Sequence, residues 1–488
     1  MARHPGPESG TKCPETASRC IRGIMRGMLR TLLPIALCLA CRAADLMPPE
    51  SDQRLAREIF KEMVEIKSGS TTGATTPIVQ AVAARLKAEG FPASDTFVGG
   101  TIPTKANLVV RYHGTGARKP ILLLAHIDVV AANREDWSMD PFTFIETDGY
   151  FYGRGTTDDK SQAAIWIANL IRYKREGFKP DRDLIVALTA DEEDPGPDNG
   201  VKWLLKNHRD LIDSDFALNE GGDGVLVNGK HVSNDISAAE KSYADLTLEV
   251  LNKGGHSSQP VADNAIYHLA GALTRIGNFT FPFRLNEVTR AYLQQMAKLE
   301  SGQLAKDLAQ ASKGSVEAMR RVAAASPYFA AMMRTTCVAT MLEGGHAVNA
   351  LPQSARSNVN CRILPDDSPE NVLATLKKVV ADDQVTLTIK ADDRGPASPL
   401  RRDVMDAVTR LTGSMWPGTI ALPTMLVGTT DGMFLRAAGI PTYGFSSLFQ
   451  ERDDVRAHGR DERLSVKSFY EGQTFMYEIV KLLAKGAE

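Results

Sequence analysis

The sequence predicts an α/β protein with a mostly parallel sheet, into which a smaller α+β domain is inserted. Apolar runs within residues 121–125 and 183–190 are typical of strands that are buried on both faces of such a sheet. Segments with helical periodicity alternate with these strands, as in other α/β domains. From about residue 240, apolar and polar residues alternate with a period of two instead, which indicates an antiparallel sheet with one exposed face.

The first α/β part is predicted to span residues 45–239. Its elements follow in chain order: a helical segment at 54–90, a strand at 121–125, a helix at 161–175, a strand at 183–190, a helix at 201–211 and a short strand at 216–219. The helix at 161–175 is predicted because its apolar residues recur at the spacing of one helix face.

The insert is predicted to span residues 240–392. Three strands with alternating burial are expected, at 246–250, 359–363 and 385–389, with covering helices at 264–276 and 370–382. Within the insert, 285–333 is rich in Ala, Met, Gln and Lys and is predicted to form additional helices. The second α/β part, 393–488, then contains helices at 402–412 and 466–485.

Composition excludes several classes of protein. The 488 residues are 43% hydrophobic and 24% charged, as in ordinary soluble globular proteins. A net charge of −2 provides no basic field, so we expect no nucleic-acid partner. Six cysteines are too few to build a disulfide scaffold in a chain of this length.

The first 44 residues are predicted to be a signal-peptide region. Residues 32–41 are uncharged and mostly apolar and follow several arginines, but ten residues cannot span a bilayer, which needs about 20. Cleavage is expected between Ala40 and Ala44, with export to the periplasm or beyond and no stable membrane span. A short buried helix and a lipoprotein site at Cys41 are the alternatives, and translation is expected to start at Met25 or Met28. Export would make a disulfide between the two cysteines of the mature chain, Cys337 and Cys361, possible.

Side chains able to bind a metal follow three predicted strands. His126 and Asp128 end the first, Glu192 and Glu193 follow the second, and Glu220 follows the third. Because the carboxyl ends of parallel strands meet at one edge of a sheet, these side chains are expected to lie together.

Two further candidates lie in loops. Asp158 lies in a glycine-rich loop before a helix, and His458 lies in a polar loop late in the chain. Each candidate taken singly has a structural explanation, such as a surface histidine, a solvated loop or a helix cap. Taken together they predict a bound cation, because clustered carboxylates otherwise repel each other. Imidazole and carboxylate ligands without cysteine suit zinc or another borderline divalent ion, and a shared carboxylate suits a pair of ions about 3.5–4 Å apart.

The motifs around these residues resemble one family. In chain order they are Leu-Ala-His126-Ile-Asp128, Gly-Arg-Gly-Thr-Thr-Asp158-Asp-Lys, Asp191-Glu192-Glu193, Asn219-Glu220-Gly-Gly, Gly254-Gly-His256-Ser-Ser and His458-Gly. They are similar to those of the co-catalytic zinc family of aminoacylase, glutamate carboxypeptidase, acetylornithine deacetylase, succinyl-diaminopimelate desuccinylase and carboxypeptidase S. The long 285–333 region resembles the carboxypeptidase S-like branch. The family fold is a catalytic α/β domain with an inserted lid or dimerisation domain.

The resemblance implies two metal sites that share one carboxylate. Asp158 would bridge two divalent ions, most simply zinc, with cobalt or manganese as alternatives. His126 and Glu220 would complete one site, and Glu193 and His458 the other.

The resemblance also implies roles for residues beside the metals. Glu192 would be the general base, and Asp128 would orient His126. A cis peptide bond is implied between Asp158 and Asp159.

Three residues of the insert are similar to substrate-contacting residues of the family. His256 would stabilise the oxyanion, in many members across a homodimer; its alternative is a turn histidine. Asn349 resembles a lid asparagine that contacts substrate, and Arg362 an arginine that can hold the substrate carboxylate, with a solvated strand arginine as the alternative. The loop 428–432 also matches a family loop near the site.

The activity implied is hydrolysis of a peptide or N-acyl amide bond next to a free carboxylate, as in a carboxypeptidase or dipeptidase. A water between the metals would be the nucleophile, with Glu192 as its base. The alternatives are an N-acyl amino acid deacylase and, outside enzymes, a non-catalytic binding domain on the same fold.

Overall fold

A computed structural model describes residues 46–69, 73–193, 196–391 and 394–485. The predicted signal-peptide region lies outside the described residues, so its prediction is not addressed by the fold. The strands are β1 Thr96–Gly100, β2 Ala106–Tyr112, β3 Ile121–His126, β4 Ile145–Thr147, β5 Tyr150–Tyr152, β6 Leu184–Thr189, β7 Phe216–Asn219, β8 Gly224–Val227, β9 Lys230–Glu240, β10 Ser242–Leu251, β11 Gly255–His256, β12 Thr336–Gly344, β13 Ala350–Leu351, β14 Ser354–Ile363, β15 Thr386–Ala391, β16 Ile420–Leu426, β17 Thr442–Gly444, β18 Phe449–Glu451 and β19 Arg463–Ser465.

The α-helices are distributed along the whole described chain. They are α1 Glu50–Glu65, α2 Thr76–Ala88, α3 Lys160–Glu176, α4 Gly200–Asn207, α5 Arg209–Ile212, α6 Ala265–Asn278, α7 Glu287–Leu299, α8 Gly302–Ser312, α9 Val316–Ala325, α10 Pro327–Met332, α11 Pro369–Val380, α12 Arg402–Met415, α13 Gly432–Ala437 and α14 Val466–Ala484.

The main sheet has ten strands in the order β1-β2-β6-β3-β7-β17-β9-β8-β18, with β16 paired to β9. At its centre β6, β3 and β7 run parallel. Leu123 of β3 packs into a core on one face of the sheet, and Leu122 into a core on the other. Burial on both faces explains why these strands appear in the sequence as continuous apolar runs. The predicted α/β fold class is confirmed.

Helices cover both faces of the main sheet. Helices α1, α3 and α14 contribute to one core, and α4 and α13 to the other. The predicted single helix at 201–211 is in fact two helices, because His208 has a non-helical backbone (φ −145°, ψ 41°) between α4 and α5. The short strand β8 and the long strand β9 were not predicted.

A second sheet is antiparallel, with strand order β12-β14-β10-β15. Along β10, buried and half-buried residues alternate, as the period of two predicts. Leu246 and Val359 on the buried face pack with helices α6 and α11. The opposite face of this sheet is turned towards the cavity described below.

The helices α7 to α10 pack against the main sheet, although in sequence they lie within the predicted insert. Val288 and Leu293 of α7 share the main core with Met425 of β16. The buried Lys241, between β9 and β10, donates hydrogen bonds to the carbonyl oxygens of Ala331 and Arg334 at the end of α10. The predicted domain boundaries near residues 240 and 392 stay predictions.

Cys337 and Cys361 face each other across β12 and β14 and form a disulfide. It cross-links the edge strand of the second sheet to its neighbour. Among the described residues, no helix combines the length and apolar character needed to cross a membrane.

Candidate metal centre

Three adjacent parallel strands deliver metal-binding side chains to one edge of the main sheet. His126 is the last residue of β3, Glu192 and Glu193 follow β6, and Glu220 follows β7. The side chain of His126 is almost fully buried, with 1% of its surface exposed. The sheet therefore brings together the side chains that the sequence placed at strand ends.

Asp158, in the loop before α3, lies between two histidines from distant parts of the chain. Its Oδ1 is 2.8 Å from Nε2 of His126, and its Oδ2 is 3.0 Å from Nε2 of His458. The peptide bond between Asp158 and Asp159 is cis, as the family resemblance implies. One carboxylate thus presents a different oxygen to each histidine, which is the arrangement of a bridging ligand.

The candidate ligands form two groups that share Asp158. In the first group, Nε2 of His126 also lies 3.8 Å from Oε2 of Glu220. In the second group, Nε2 of His458 lies 3.0 Å from Oε2 of Glu193. The other carboxylate oxygen of Glu193, Oε1, is buried and has no hydrogen-bond partner in the described chain. These nitrogen and oxygen donors fit two borderline divalent cations.

The charges of the site are unbalanced without cations. Burial raises the pKa of Glu192 and Glu220 well above the usual range, and nearby carboxylates add to the rise. Hydrogen bonds to Asp158 and Glu193 raise the pKa of His458 to about 10. Burial also disfavours the charge on Asp158, but hydrogen bonds from both histidines outweigh it and hold the pKa of Asp158 below its usual value. Divalent cations would relieve the repulsion among these carboxylates.

Asp128 connects the metal ligands to the proposed base. Its fully buried carboxylate accepts hydrogen bonds from the backbone N–H groups of Glu192 (3.2 Å) and Glu193 (3.1 Å). His126 uses Nδ1 to contact the backbone oxygen of Asp128 at 3.1 Å, whereas the carboxylate lies 3.7 Å away. Asp128 therefore orients His126 through its main chain and uses its carboxylate to hold the turn that carries Glu192.

A cavity of about 570 Å³ opens over the candidate ligands between the two sheets. Residues of the second sheet form one wall: Tyr243, Asp245, Arg362 and Lys390. Residues 428–431 of the loop 428–432 also line the cavity, together with Phe434. The guanidinium of Arg362 lies 4.8 Å from the centre of the Tyr243 ring and donates to Oγ1 of Thr429 at 3.3 Å. The structure thus places Arg362 and the loop 428–432 beside the metal centre.

His256 and Asn349 lie together but away from this cavity. They are on the neighbouring segments β11 and β13, where the backbone N–H of Ser257 donates to the carbonyl oxygen of Asn349. Both residues are exposed, and neither lines the cavity. The imidazole Nδ1 of His256 accepts a hydrogen bond from the backbone N–H of Ser258. Within one chain, these two predicted substrate contacts do not meet the metal ligands.

The structure also gives supporting roles to two residues for which the sequence analysis predicted none. Asp191 has a left-handed backbone (φ 58°), and its buried carboxylate pairs with the buried Lys105. Its position directly before Glu192 was the only signal in the sequence. Asp431 accepts hydrogen bonds from Asn199 (2.7 Å) and Thr189 (3.1 Å), and so ties the cavity loop to the end of β6.

Comparison with known proteins identifies the family. The family model described as peptidase family M20/M25/M40 matches residues 122–482. The chain belongs to this family. The resemblance inferred from the motifs is therefore confirmed, and the chain is a hydrolase.

Two relatives and one solved structure illustrate the similarity of this M20 chain. It is 30% identical over 382 residues to the N-fatty-acyl-amino acid synthase/hydrolase PM20D1 of Homo sapiens, covering 74% of each chain. It is 28% identical to a probable carboxypeptidase S-like 2 of Dictyostelium discoideum, covering 80% of this chain and 77% of the relative. An M20 family metallo-carboxypeptidase from Sulfolobus solfataricus has the same fold, with a TM-score of 0.68 and 18% identity over 88% of this chain and 99% of that chain.

Cation binding is expected to stabilise the protein strongly. A cation at a hundredfold excess over its dissociation constant adds about 3 kcal/mol to the free energy of unfolding at one site. Adding zinc, cobalt or manganese to chelator-treated protein should therefore raise the melting temperature, measured by scanning calorimetry. The effect should weaken at low pH, because His126 and His458 must lose protons to bind.

Asp158→Asn is the test variant for this stabilisation, since Asp158 belongs to both ligand groups. Its melting temperature should respond far less to added metal. Asp383→Asn, at an exposed position, is the matched control and should respond like the wild type. An equal response of all three proteins would contradict the site.

Proposed function

We propose that the protein is a hydrolase that uses two divalent cations, with zinc as the expected metal, to cleave peptide or N-acyl amide bonds next to a free carboxylate. The observation that supports this most directly is Asp158, which offers one oxygen to the His126 group and the other to the His458 group. Cobalt and manganese are alternatives, because the same nitrogen and oxygen donors accept them.

His126 and Glu220 would hold one cation, Glu193 and His458 the other, with Asp158 shared. When bound, such a pair of cations polarises the substrate carbonyl and lowers the pKa of the attacking water.

Glu192 is proposed to move the proton. It lines the cavity directly beside the ligand Glu193, yet belongs to neither ligand group. Its carboxylate would accept a proton from the attacking water and then donate it to the leaving nitrogen. Asp128 supports this role because it fixes the backbone of the 192–193 turn.

Arg362 is proposed to bind the free carboxylate of the substrate. Arg362 lines the same cavity as the metal ligands, and its guanidinium is held there by the Tyr243 ring and by Thr429. A guanidinium can form two parallel hydrogen bonds with a carboxylate, which would orient the amide bond towards the metals.

The substrate class has two candidates within this chemistry. A carboxypeptidase or dipeptidase would act on peptides, whereas a deacylase would act on N-acyl amino acids. The similarity to the human N-fatty-acyl-amino acid synthase/hydrolase favours the deacylase, and the similarity to the carboxypeptidase S-like protein favours the peptidase. A hydrolysis screen of dipeptides and N-acylated amino acids, with and without each metal, distinguishes the two.

Replacing Glu192 by Gln is expected to lower kcat by roughly 100- to 10,000-fold, because the amide cannot accept a proton. Metal content, measured by plasma mass spectrometry, should stay at the wild-type value. The matched control is Glu317→Gln, at an exposed position of α9, which should keep wild-type activity. A near-normal rate for Glu192→Gln would reject Glu192 as the base.

A homodimer through the second sheet is proposed to complete the site. Val338, Met341 and Leu342 on the edge strand β12 are more than half exposed, which is unusual for large apolar residues on an edge strand. Pairing of this edge with a second copy would cover them. In this dimer, His256 and Asn349, which lie outside the cavity of their own chain, would reach the cavity of the second copy. There His256 could stabilise the oxyanion.

Mixing two inactive variants tests this arrangement. His256→Ala and Glu192→Gln should each be nearly inactive alone. If His256 acts across the dimer, subunit exchange should restore roughly a quarter of wild-type activity, because half of randomly formed dimers carry one complete site. Activity that stays at the level of the separate variants, although mass analysis shows mixed dimers, would mean that His256 acts within its own chain. Near-normal activity of His256→Ala alone would place His256 outside catalysis.

Export from the cytoplasm is also proposed. The apolar stretch at 32–41 with its basic flank supports it, and so does the disulfide between Cys337 and Cys361, since disulfides persist in oxidising compartments. Cell fractionation is expected to find the protein outside the cytoplasm with both cysteines protected from alkylation. Activity confined to the cytoplasm, with free thiols, would rule export out.

A further inference from the structure

We propose that Arg154 and Glu462 form a buried clamp that positions the second group of metal ligands. The clamp joins the Asp158 loop (153–158) to the His458 loop (454–462), and it acts on cation binding rather than on the substrate. The inference rests on the proposed two-metal function, but it concerns two residues outside both ligand groups.

The carboxylate of Glu462 is fully buried, and both of its oxygens accept hydrogen bonds from the Asp158 loop. Its Oε1 accepts hydrogen bonds from the backbone N–H of Thr157 at 2.7 Å, from the Thr157 hydroxyl at 2.8 Å and from the backbone N–H of Asp158 at 3.3 Å. Its Oε2 accepts from the backbone N–H of Gly155 at 3.0 Å and from Arg154 at 2.7 Å. A side chain of the His458 loop therefore fixes the backbone that presents the bridging carboxylate.

Arg154 makes the reciprocal connection. Besides its ion pair with Glu462, its Nη2 donates to the carbonyl oxygens of His458 (3.3 Å) and Gly459 (3.0 Å). The guanidinium is 3% exposed and lies 5.1 Å from the centre of the Trp137 ring. A side chain of the Asp158 loop thus holds the main chain at the ligand His458 itself.

The two loops are aligned by backbone pairing only at their outer ends. Strand β5 pairs with β19, with Arg463 opposite Tyr152, and the N–H of Gly153 donates to the carbonyl oxygen of Glu462. Beyond this point the strands separate, and His458 adopts a left-handed backbone (φ 61°), which residues other than glycine seldom adopt. The clamp spans the part of the two loops that the strand pairing leaves unsupported.

The two metal positions depend on the clamp unequally. His126 and Glu220 of the first group stand at the ends of strands in the main sheet, so that only its shared ligand, Asp158, relies on the clamp. The second group contains His458, whose loop is joined to Asp158 through Arg154 and Glu462. Disruption of the clamp should therefore weaken the second cation far more than the first.

Apo protein titrated with zinc by calorimetry, and with cobalt by absorption spectroscopy, tests the clamp without any substrate. The variants are Glu462→Gln and Arg154→Met. Arg182→Met is the matched control: Arg182 is 1% exposed, pairs with Asp215 at 3.1 Å and lies 5.6 Å from the centre of the Phe216 ring, but it precedes β6 at the opposite end from the metal centre. Wild type and control should bind two equivalents. The clamp variants should bind the first equivalent within about threefold of wild type and the second at least tenfold more weakly.

Several outcomes would overturn the clamp. It is wrong if both folded clamp variants bind two equivalents like the wild type, or if Arg182→Met loses the second equivalent as well. Where Arg154→Met does not fold, Arg154→Lys keeps the charge but not the planar fork, and it must still weaken the second equivalent. A wild type that binds no metal would overturn the proposed function itself, whereas two equivalents in the wild type and in the clamp variants would overturn the clamp alone.

Discussion

Electrostatic repulsion at one edge of the main sheet is the constraint on which the rest of the site depends. Four carboxylates lie together there: Asp158, Glu192, Glu193 and Glu220. Burial removes the water that would otherwise screen their charges from one another. The two histidines offset only part of this repulsion. A structure that concentrates buried carboxylates in this way is suited to hold cations, because cations make the arrangement favourable.

The fold meets this constraint in two ways. Three ligand positions follow adjacent parallel strands that are buried on both faces, so the rigid sheet sets their spacing. His458 lies about 300 residues after Asp158, in a loop without regular structure. This loop is held by hydrogen bonds from Arg154, by the bonds of Glu462 to the Asp158 loop, by hydrogen bonds from Ser138 to Asp461 and by the short β5–β19 pairing. The two halves of the candidate centre therefore differ in how rigidly the fold supports them.

The second sheet supplies the other side of the site. Its apolar face packs on α6 and α11, and its polar face presents Arg362 and Lys390 to the cavity. His256 and Asn349, on the separate β11–β13 pairing, do not line that cavity, and the edge strand β12 of the second sheet is exposed. In the homodimer proposed above, one chain would supply the metal ligands and the other would complete the surroundings of the substrate.

Much of this organisation could be predicted from the sequence because local physics determines it. Strands buried on both faces must be continuously apolar, half-exposed strands must alternate, and the ligand motifs recur in a fixed order, so the fold class and the metal-binding candidates were accessible. The break at His208, the packing of α7 to α10 on the main sheet, the role of the Asp128 carboxylate and the Arg154–Glu462 pair were not. Each depends on contacts between segments far apart in the chain, and neither periodicity nor residue type reports such contacts; only the tertiary structure decides them.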